Sequence, residues 1–149
     1  MELLKWISVS DRHTKMYLDR KLAPLGLNSS QHMYIVKVCQ SPGITQDSFI
    51  KFFHIHPSNI TRSIIFLEKE GFIRKEINKN DKRTSRLYPT QKALEACAYI
   101  TDTANCWNEK LLKGFSGEER RLFTDFLQRA GNNAVCAIRS EIESEKSAE

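Results

Sequence analysis

The sequence has few of the features that mark membrane, disulfide-rich or fibrous proteins. Its 149 residues include six glycines, four prolines and four cysteines, and the cysteines form no Cys-x-x-Cys pair. No run of about 18 apolar residues occurs, and charged side chains interrupt residues 1–15, where a signal peptide would need an apolar stretch. We therefore expect a cytoplasmic protein with no membrane partner, whose thiols are reduced and buried.

Groups typical of catalysis or metal binding are also scarce. His54 and His56 are the only histidines or cysteines that stand close together, and side chains two residues apart point in different directions unless a special turn intervenes. No nucleophile motif, phosphate-binding loop or carboxylate pair accompanies them. The sequence predicts no metal, no cofactor and no enzymatic activity.

The composition is that of one globular domain with an uneven charge. Hydrophobic residues make up 40% and charged residues 28% of the chain, whose net charge is +5 at pH 7. This length favours a single domain over residues 1–149. Residues 45–90 hold nine basic side chains against five acidic ones, whereas residues 91–149 hold eight against ten. A basic region of this density attracts polyanions.

The apolar spacing predicts a mainly helical chain. A first helix ends at Leu22, before Pro24 and Gly26. A capping box at Asn28–Gln31 precedes a second helix, and Thr45 is a suitable N-cap for a short third helix.

A fourth helix is predicted between Pro57 and Gly71, with a stripe of Ile60, Ile64 and Leu67 that faces the core. The opposite, outward face of this helix carries Ser58, Arg62, Ile65 and Lys69.

After the fourth helix the sequence period becomes that of strands. Residues 72–77 and 86–89 are predicted to pair as a β-hairpin with a basic tip. Two short helices joined by a tight turn and followed by such a hairpin form a winged helix-turn-helix. In this arrangement the second helix fits the major groove of DNA, and the hairpin reaches the minor groove or the phosphates. The predicted fold class is therefore mainly α with a small β-wing.

Two long helices follow, with predicted N-caps at Thr90 and Ser116, and the acidic tail, residues 140–149, is expected to fray. Their apolar stripes offer more apolar surface than a small DNA-binding core can cover. A further apolar cluster near the start of the chain consists of Leu3, Leu4 and Ile7. We therefore expect a homodimer.

The chain also resembles a known family. Residues 81–90 match the wing pattern D-x-R-x-x-x-L-x-x-T of the MarR (multiple-antibiotic-resistance regulator) family, and residues 44–62 and 67–75 are similar to its helix-turn-helix. The resemblance implies a winged-helix homodimer in which each subunit reads half of a palindromic operator in double-stranded DNA. Effectors in this family are often small phenolic or lipophilic compounds.

The resemblance also implies a division of the chain and the roles of single residues. Residues 28–90 would form the DNA-binding region, with dimerisation helices over residues 1–27 and 91–149. Arg83 would enter the minor groove, oriented by Asp81 through a charge-assisted hydrogen bond. The other residues expected at the DNA are Ser58, Asn59, Thr61, Arg62, Lys69 and Lys82.

Five positions depart from the family pattern. His54 stands where glycine is frequent, and His56 replaces the common Ser or Asp cap. Ser63 replaces an apolar residue, and Ile65 and Phe66 stand where charged residues are usual. Ile65 either touches a thymine methyl in the groove, or the helix is rotated or both side chains pack locally. We favour the second interpretation, because apolar surface tends to be covered.

These features together favour a DNA-binding transcriptional regulator, a homodimeric repressor relieved by a small ligand. One alternative is a winged-helix module that binds another protein through its basic wing. The other is a redox-sensing regulator that uses a cysteine. Some relatives sense peroxides through a cysteine near the first helix, but the first cysteine in this chain is Cys39.

Overall fold

The computed structural model describes residues 1–77, 79 and 84–147, and these are mainly helical with a small antiparallel sheet, as predicted. None of the described helices is long and apolar enough to cross a membrane. The helices are α1 (Glu2–Leu22), α2 (His32–Gln40), α3 (Gln46–Phe53), α4 (Pro57–Lys69), α5 (Gln91–Leu111) and α6 (Gly117–Ser147). The strands are β1 (Ile44–Thr45), β2 (Ile73–Ile77) and β3 (Ser85–Pro89).

The strand order in the sheet is β1-β3-β2, and both pairings are antiparallel. β2 and β3 are the predicted hairpin strands, in a register that places Lys75 opposite Leu87. The sequence carries no signal for β1, because its two residues are a strand only through their pairing with β3, where Ile44 lies opposite Leu87.

The chain divides into two compact units, Met1–Asn108 and Glu109–Glu149. In the first unit, one apolar core joins residues of α1 to α5 and of the sheet. Ile60, Ile64 and Leu67 of α4 are fully buried in this core, as predicted. The other large side chains that are fully buried include Leu22, Tyr34, Ile35, Phe49, Phe72, Leu87 and Ile100. Burial of one face of α4 fixes the direction in which the opposite face points.

The predicted capping hydrogen bonds form ahead of α2 and at the starts of α5 and α6, whereas Thr45 precedes α3 without a side-chain cap hydrogen bond. The Gln31 side chain accepts a hydrogen bond from the backbone N–H of Asn28 at 3.0 Å, although α2 itself begins after Gln31. The Ser116 and Glu119 side chains each accept the other residue's backbone N–H ahead of α6, at 3.2 and 2.7 Å. The Thr90 hydroxyl accepts a backbone N–H from the first turn of α5 at 3.3 Å.

The prediction that the acidic tail frays is wrong for its described part. α6 continues as a helix to Ser147. The hydroxyls of Ser140 and Ser144 donate to backbone carbonyl oxygens four residues earlier, at 3.0 and 2.8 Å. Local hydrogen bonds of this kind are compatible with a continuous helix. The prediction of fraying rested on the acidic composition and did not include them.

The prediction of buried thiols is wrong, because none of the four cysteines is fully buried. All four cysteines are free, but Cys106 and Cys136 are exposed, whereas Cys39 and Cys97 are half-buried. Burial, with a smaller effect from the neighbouring Cys97, raises the pKa of Cys39 to about 12. A thiol with such a pKa is protonated at neutral pH and is a poor nucleophile, so Cys39 gives the redox-sensing alternative no support.

Candidate nucleic-acid interface

Two histidines shape the joint between α3 and α4. His54 ends α3 in the left-handed conformation (φ 53°), in which any residue with a Cβ is strained. His56 caps α4: its Nδ1 accepts the backbone N–H of Ser58 at 3.2 Å and lies 2.7 Å from the Ser58 hydroxyl oxygen. The two histidines therefore take the positions for which glycine and a Ser or Asp cap are usual.

The outward face of α4 is open to solvent. Ser58, Arg62 and Lys69 are exposed there, as predicted. The expectation that Ile65 and Phe66 both pack locally is wrong for Ile65, which is 54% exposed, whereas Phe66 packs against the core. The outward face of α4 therefore carries an aliphatic side chain among polar ones.

Several polar side chains of α4 have partners within the protein. The Thr61 hydroxyl donates to the backbone oxygen of Pro57 at 3.1 Å and accepts from the Gln46 side chain at 2.7 Å. The Arg62 guanidinium donates to the side-chain oxygen of Asn59. Asn59 and Thr61 thus lie on the outward face and also restrain the side chains around them through hydrogen bonds. The sequence did not predict that Gln46 supports this face, because Gln46 lies 15 residues from Thr61 in the chain and no local pattern links the two residues.

The described part of the wing is basic, but its strand cations are engaged locally. The Arg74 guanidinium pairs with the Glu76 carboxylate and lies 5.3 Å from the centre of the Tyr88 ring. The Lys75 ammonium lies 3.9 Å from the Glu68 carboxylate at the end of α4. These pairs tie the wing strands to each other and to α4. The predicted DNA contacts Lys82 and Arg83, and their neighbour Asp81, lie outside the described residues.

Two clefts open on the first unit and are lined by elements other than α4. The larger, of about 480 Å³, lies at α1 and α5, where the rings of Tyr17 and Trp107 stack with centres 4.6 Å apart beside Arg20 and Lys21. The smaller, of about 280 Å³, is lined by α2, α3 and α5 and includes His32, whose pKa is lowered by burial. The aromatic stack and the two cations of the larger cleft suit a small aromatic anion.

No metal centre is found in the part of the chain that the structure describes, where no three His, Cys, Asp or Glu side chains form a cluster that could hold an ion. His54 and His56 are instead used at the joint between α3 and α4.

A capped helix with an open polar face, preceded by a short helix and followed by a β-wing, defines a winged helix-turn-helix protein. The model of the MarR family matches residues 27–85. The crystal structure of a MarR family transcriptional regulator from Listeria monocytogenes, described as putative and complexed with 26mer DNA, is 30% identical, with a TM-score of 0.85 over 90% of this chain and 89% of that one. The chain belongs to the MarR family.

Two further relatives agree with this membership. The uncharacterized HTH-type transcriptional regulator YybA of Bacillus subtilis (strain 168) is 26% identical over 132 residues, which are 89% of this chain and 88% of YybA. A crystal structure of the transcriptional regulator SlyA is 27% identical, with a TM-score of 0.86 over 91% of this chain and 95% of that one. The chain is a transcriptional regulator of the MarR family and not an enzyme.

Proposed function

We propose that this regulator is a cytoplasmic homodimeric repressor that binds a palindromic operator and is released from it by a small ligand. The observation that carries the proposal is the outward face of α4, where Arg62 and Lys69 are exposed while the inner face is fully buried. Such a helix enters a major groove without uncovering its core. The related Listeria monocytogenes regulator was crystallised with 26mer DNA.

The proposal gives each site residue a role. Arg62 reads a guanine, since its guanidinium matches the O6 and N7 acceptors. Lys69, near the end of α4, meets a phosphate. In the wing, Arg83 enters the minor groove with Asp81 orienting it, and Lys82 meets the backbone. Around Arg62 the helix presents Ser58, Asn59 and Thr61 to the DNA.

Apolar surface within each unit supports a dimer built by the helices outside residues 28–90. In the first unit, Leu3 and Leu4 of α1 are 72% and 67% exposed. In the second unit, α6 exposes Leu122, Phe123, Phe126, Leu127, Ile138 and Ile142. Apolar surface on this scale marks an interaction site, and a second copy of the chain is the occupant that a palindromic operator requires.

The cleft beside Tyr17 and Trp107 supports the effector part of the proposal. It has a size suited to a small molecule, an aromatic wall and cationic neighbours in Arg20 and Lys21. A phenolic compound with an acidic group would stack on the rings and pair with a cation. Bound there, it would stabilise whichever arrangement of the chain it prefers, which is how a ligand shifts a regulator away from DNA.

The salt dependence of binding to a labelled duplex tests this function. We expect affinity to fall linearly with salt on logarithmic scales, with a slope of about 0.9 for each phosphate contacted. Sedimentation at micromolar concentration should give the mass of a dimer. A chain that binds no duplex even at low salt would be a protein-interaction module, and a monomer would contradict the palindrome.

A further inference from the structure

The outward face of α4 carries one residue that charge attraction does not explain. Ile65 lies one turn after Arg62 and one turn before Lys69, and it is 54% exposed. Single exposed aliphatic side chains are common on protein surfaces, so the exposure alone decides nothing. The position of Ile65 is more informative than its exposure, since Ile65 stands midway along the face of α4 that points toward the base pairs in the proposed function.

The polar neighbours of Ile65 differ from it in one respect. The side chains of Ser58, Thr61 and Arg62 have hydrogen-bond partners in the protein, so contact with a base requires them to share or exchange those partners. An isoleucine has no hydrogen bond to lose. Binding becomes more favourable whenever an apolar group of the DNA displaces water from this side chain.

We propose that Ile65 reads the 5-methyl group of a thymine in the operator. The inference rests on the proposed function, because it requires α4 to lie in the major groove. The thymine methyl is the apolar group that base pairs present there, and cytosine lacks it. Ile65 therefore sets specificity at one position of each half-site, as a complement to the hydrogen bonds of Arg62.

The expected effect follows from the burial of one methyl group. Removing that methyl from one half-site should weaken binding about fourfold, the value for one buried methylene-sized group. In a two-fold symmetric operator the same contact occurs twice, so removal from both half-sites should weaken binding on the order of tenfold.

The test begins with selection of a binding site from a randomised duplex library by the full-length protein. Each thymine of the selected site is then replaced by deoxyuridine, which lacks only the 5-methyl group. Affinities of wild type and Ile65→Ala are measured by fluorescence anisotropy at fixed salt. Leu94→Ala, which truncates another aliphatic side chain that is 47% exposed on α5, is the matched control, and sedimentation first verifies that it keeps the oligomeric state of the wild type.

We expect wild type and Leu94→Ala to lose affinity at one symmetry-related pair of deoxyuridines, and Ile65→Ala to be indifferent to the same replacement. Circular dichroism should show that both variants fold, because both positions are exposed. If wild type is indifferent to every deoxyuridine, or if Ile65→Ala keeps the full sensitivity, the assignment is wrong and the proposed function stands. If no site is enriched at all, the proposed function fails and the assignment falls with it.

Discussion

His54 adopts a left-handed backbone conformation at the end of α3, with φ of 53°. We expect His54→Gly to raise the free energy of unfolding by about 1 kcal/mol. Glycine removes the Cβ strain of the left-handed conformation, and this gain exceeds the additional backbone entropy that glycine loses on folding. The urea midpoint should rise with an unchanged slope. The matched control is His56→Gly: His56 has φ of −59° and caps α4, so this variant should gain nothing. A lower midpoint for His54→Gly would contradict the strain.

Arg62 and Lys69 lie on the same face of α4 but are expected to do different work. Arg62→Lys should lower affinity for a selected site more than for random duplex, because lysine cannot copy the bidentate contact to guanine. Lys69→Ala should weaken both duplexes about equally and reduce the salt slope by about 0.9, one phosphate's worth. Parallel anisotropy titrations on the two duplexes separate these outcomes. Equal losses for Arg62→Lys on both would assign base reading to other residues.

The limits of the sequence at residue scale are clear from α4. Its spacing correctly predicted that Ser58, Arg62 and Lys69 face outward, because a helix repeats every 3.6 residues. The same spacing placed Ile65 on the outward face, where it is exposed. The expectation that Ile65 and Phe66 both pack locally came from the tendency of apolar surface to be covered, and only Phe66 packs against the core. The Gln46 contact to Thr61 depends on how α3 and α4 meet, which no local pattern encodes.

At the scale of elements, α6 depends on the capping box at Ser116 and Glu119. Ser116→Ala should destabilise the start of α6 by about 1 kcal/mol, because it leaves a backbone N–H of the first turn without its side-chain acceptor. Amide hydrogen exchange measures this loss of stability, and we expect the first-turn amides of α6 to exchange faster in Ser116→Ala than in the wild type. Ser140→Ala is the control, since its hydroxyl only supplements a mid-helix carbonyl, and it should leave exchange at the start of α6 unchanged. Unchanged exchange in Ser116→Ala would contradict the cap.

The wing is the second element with a direct test. If Arg83 enters the minor groove, Arg83→Ala should weaken binding to a selected site by about 1 to 3 kcal/mol while the fold stays intact. Lys79→Ala is the comparison, because Lys79 is an exposed cation between β2 and β3 that is expected to contribute at most one phosphate contact. Equal and small losses in the two variants would mean that the wing only anchors the protein.

Elements whose signals are local were predictable, and those formed by distant pairing were not. The helices α1 to α6 form where their apolar stripes predicted them, although α2 begins only at His32 and Thr45 does not cap α3 with its side chain. β1 has no such signal, since Ile44 is in a strand only because Leu87 of β3 lies opposite it. For the described end of α6, the acidic composition suggested fraying, whereas the helical backbone continues to Ser147 and the Ser144 hydroxyl donates to the carbonyl oxygen of Ser140.

At the scale of the whole molecule, the proposed two-fold dimer accounts for both the exposed apolar side chains of the helices and the outward face of α4. A two-fold dimer places its two recognition helices about one turn of DNA apart, roughly 34 Å, and so requires a palindrome. The apolar side chains left exposed on α1 and on α6 are the surface that a dimer would cover. Residues 28–90 would then read the DNA, while residues 1–27 and 91–149 hold the copies together.

Hydroxyl-radical footprinting of the full-length protein on a selected duplex tests that claim most directly. We expect two protected patches of equal strength, related by the symmetry of the sequence, with centres about one helical turn apart. Each centre should coincide with a half-site, and one dimer should saturate the duplex. A single protected patch, or protection that does not follow the symmetry of the site, would contradict a dimeric reader of a palindromic operator.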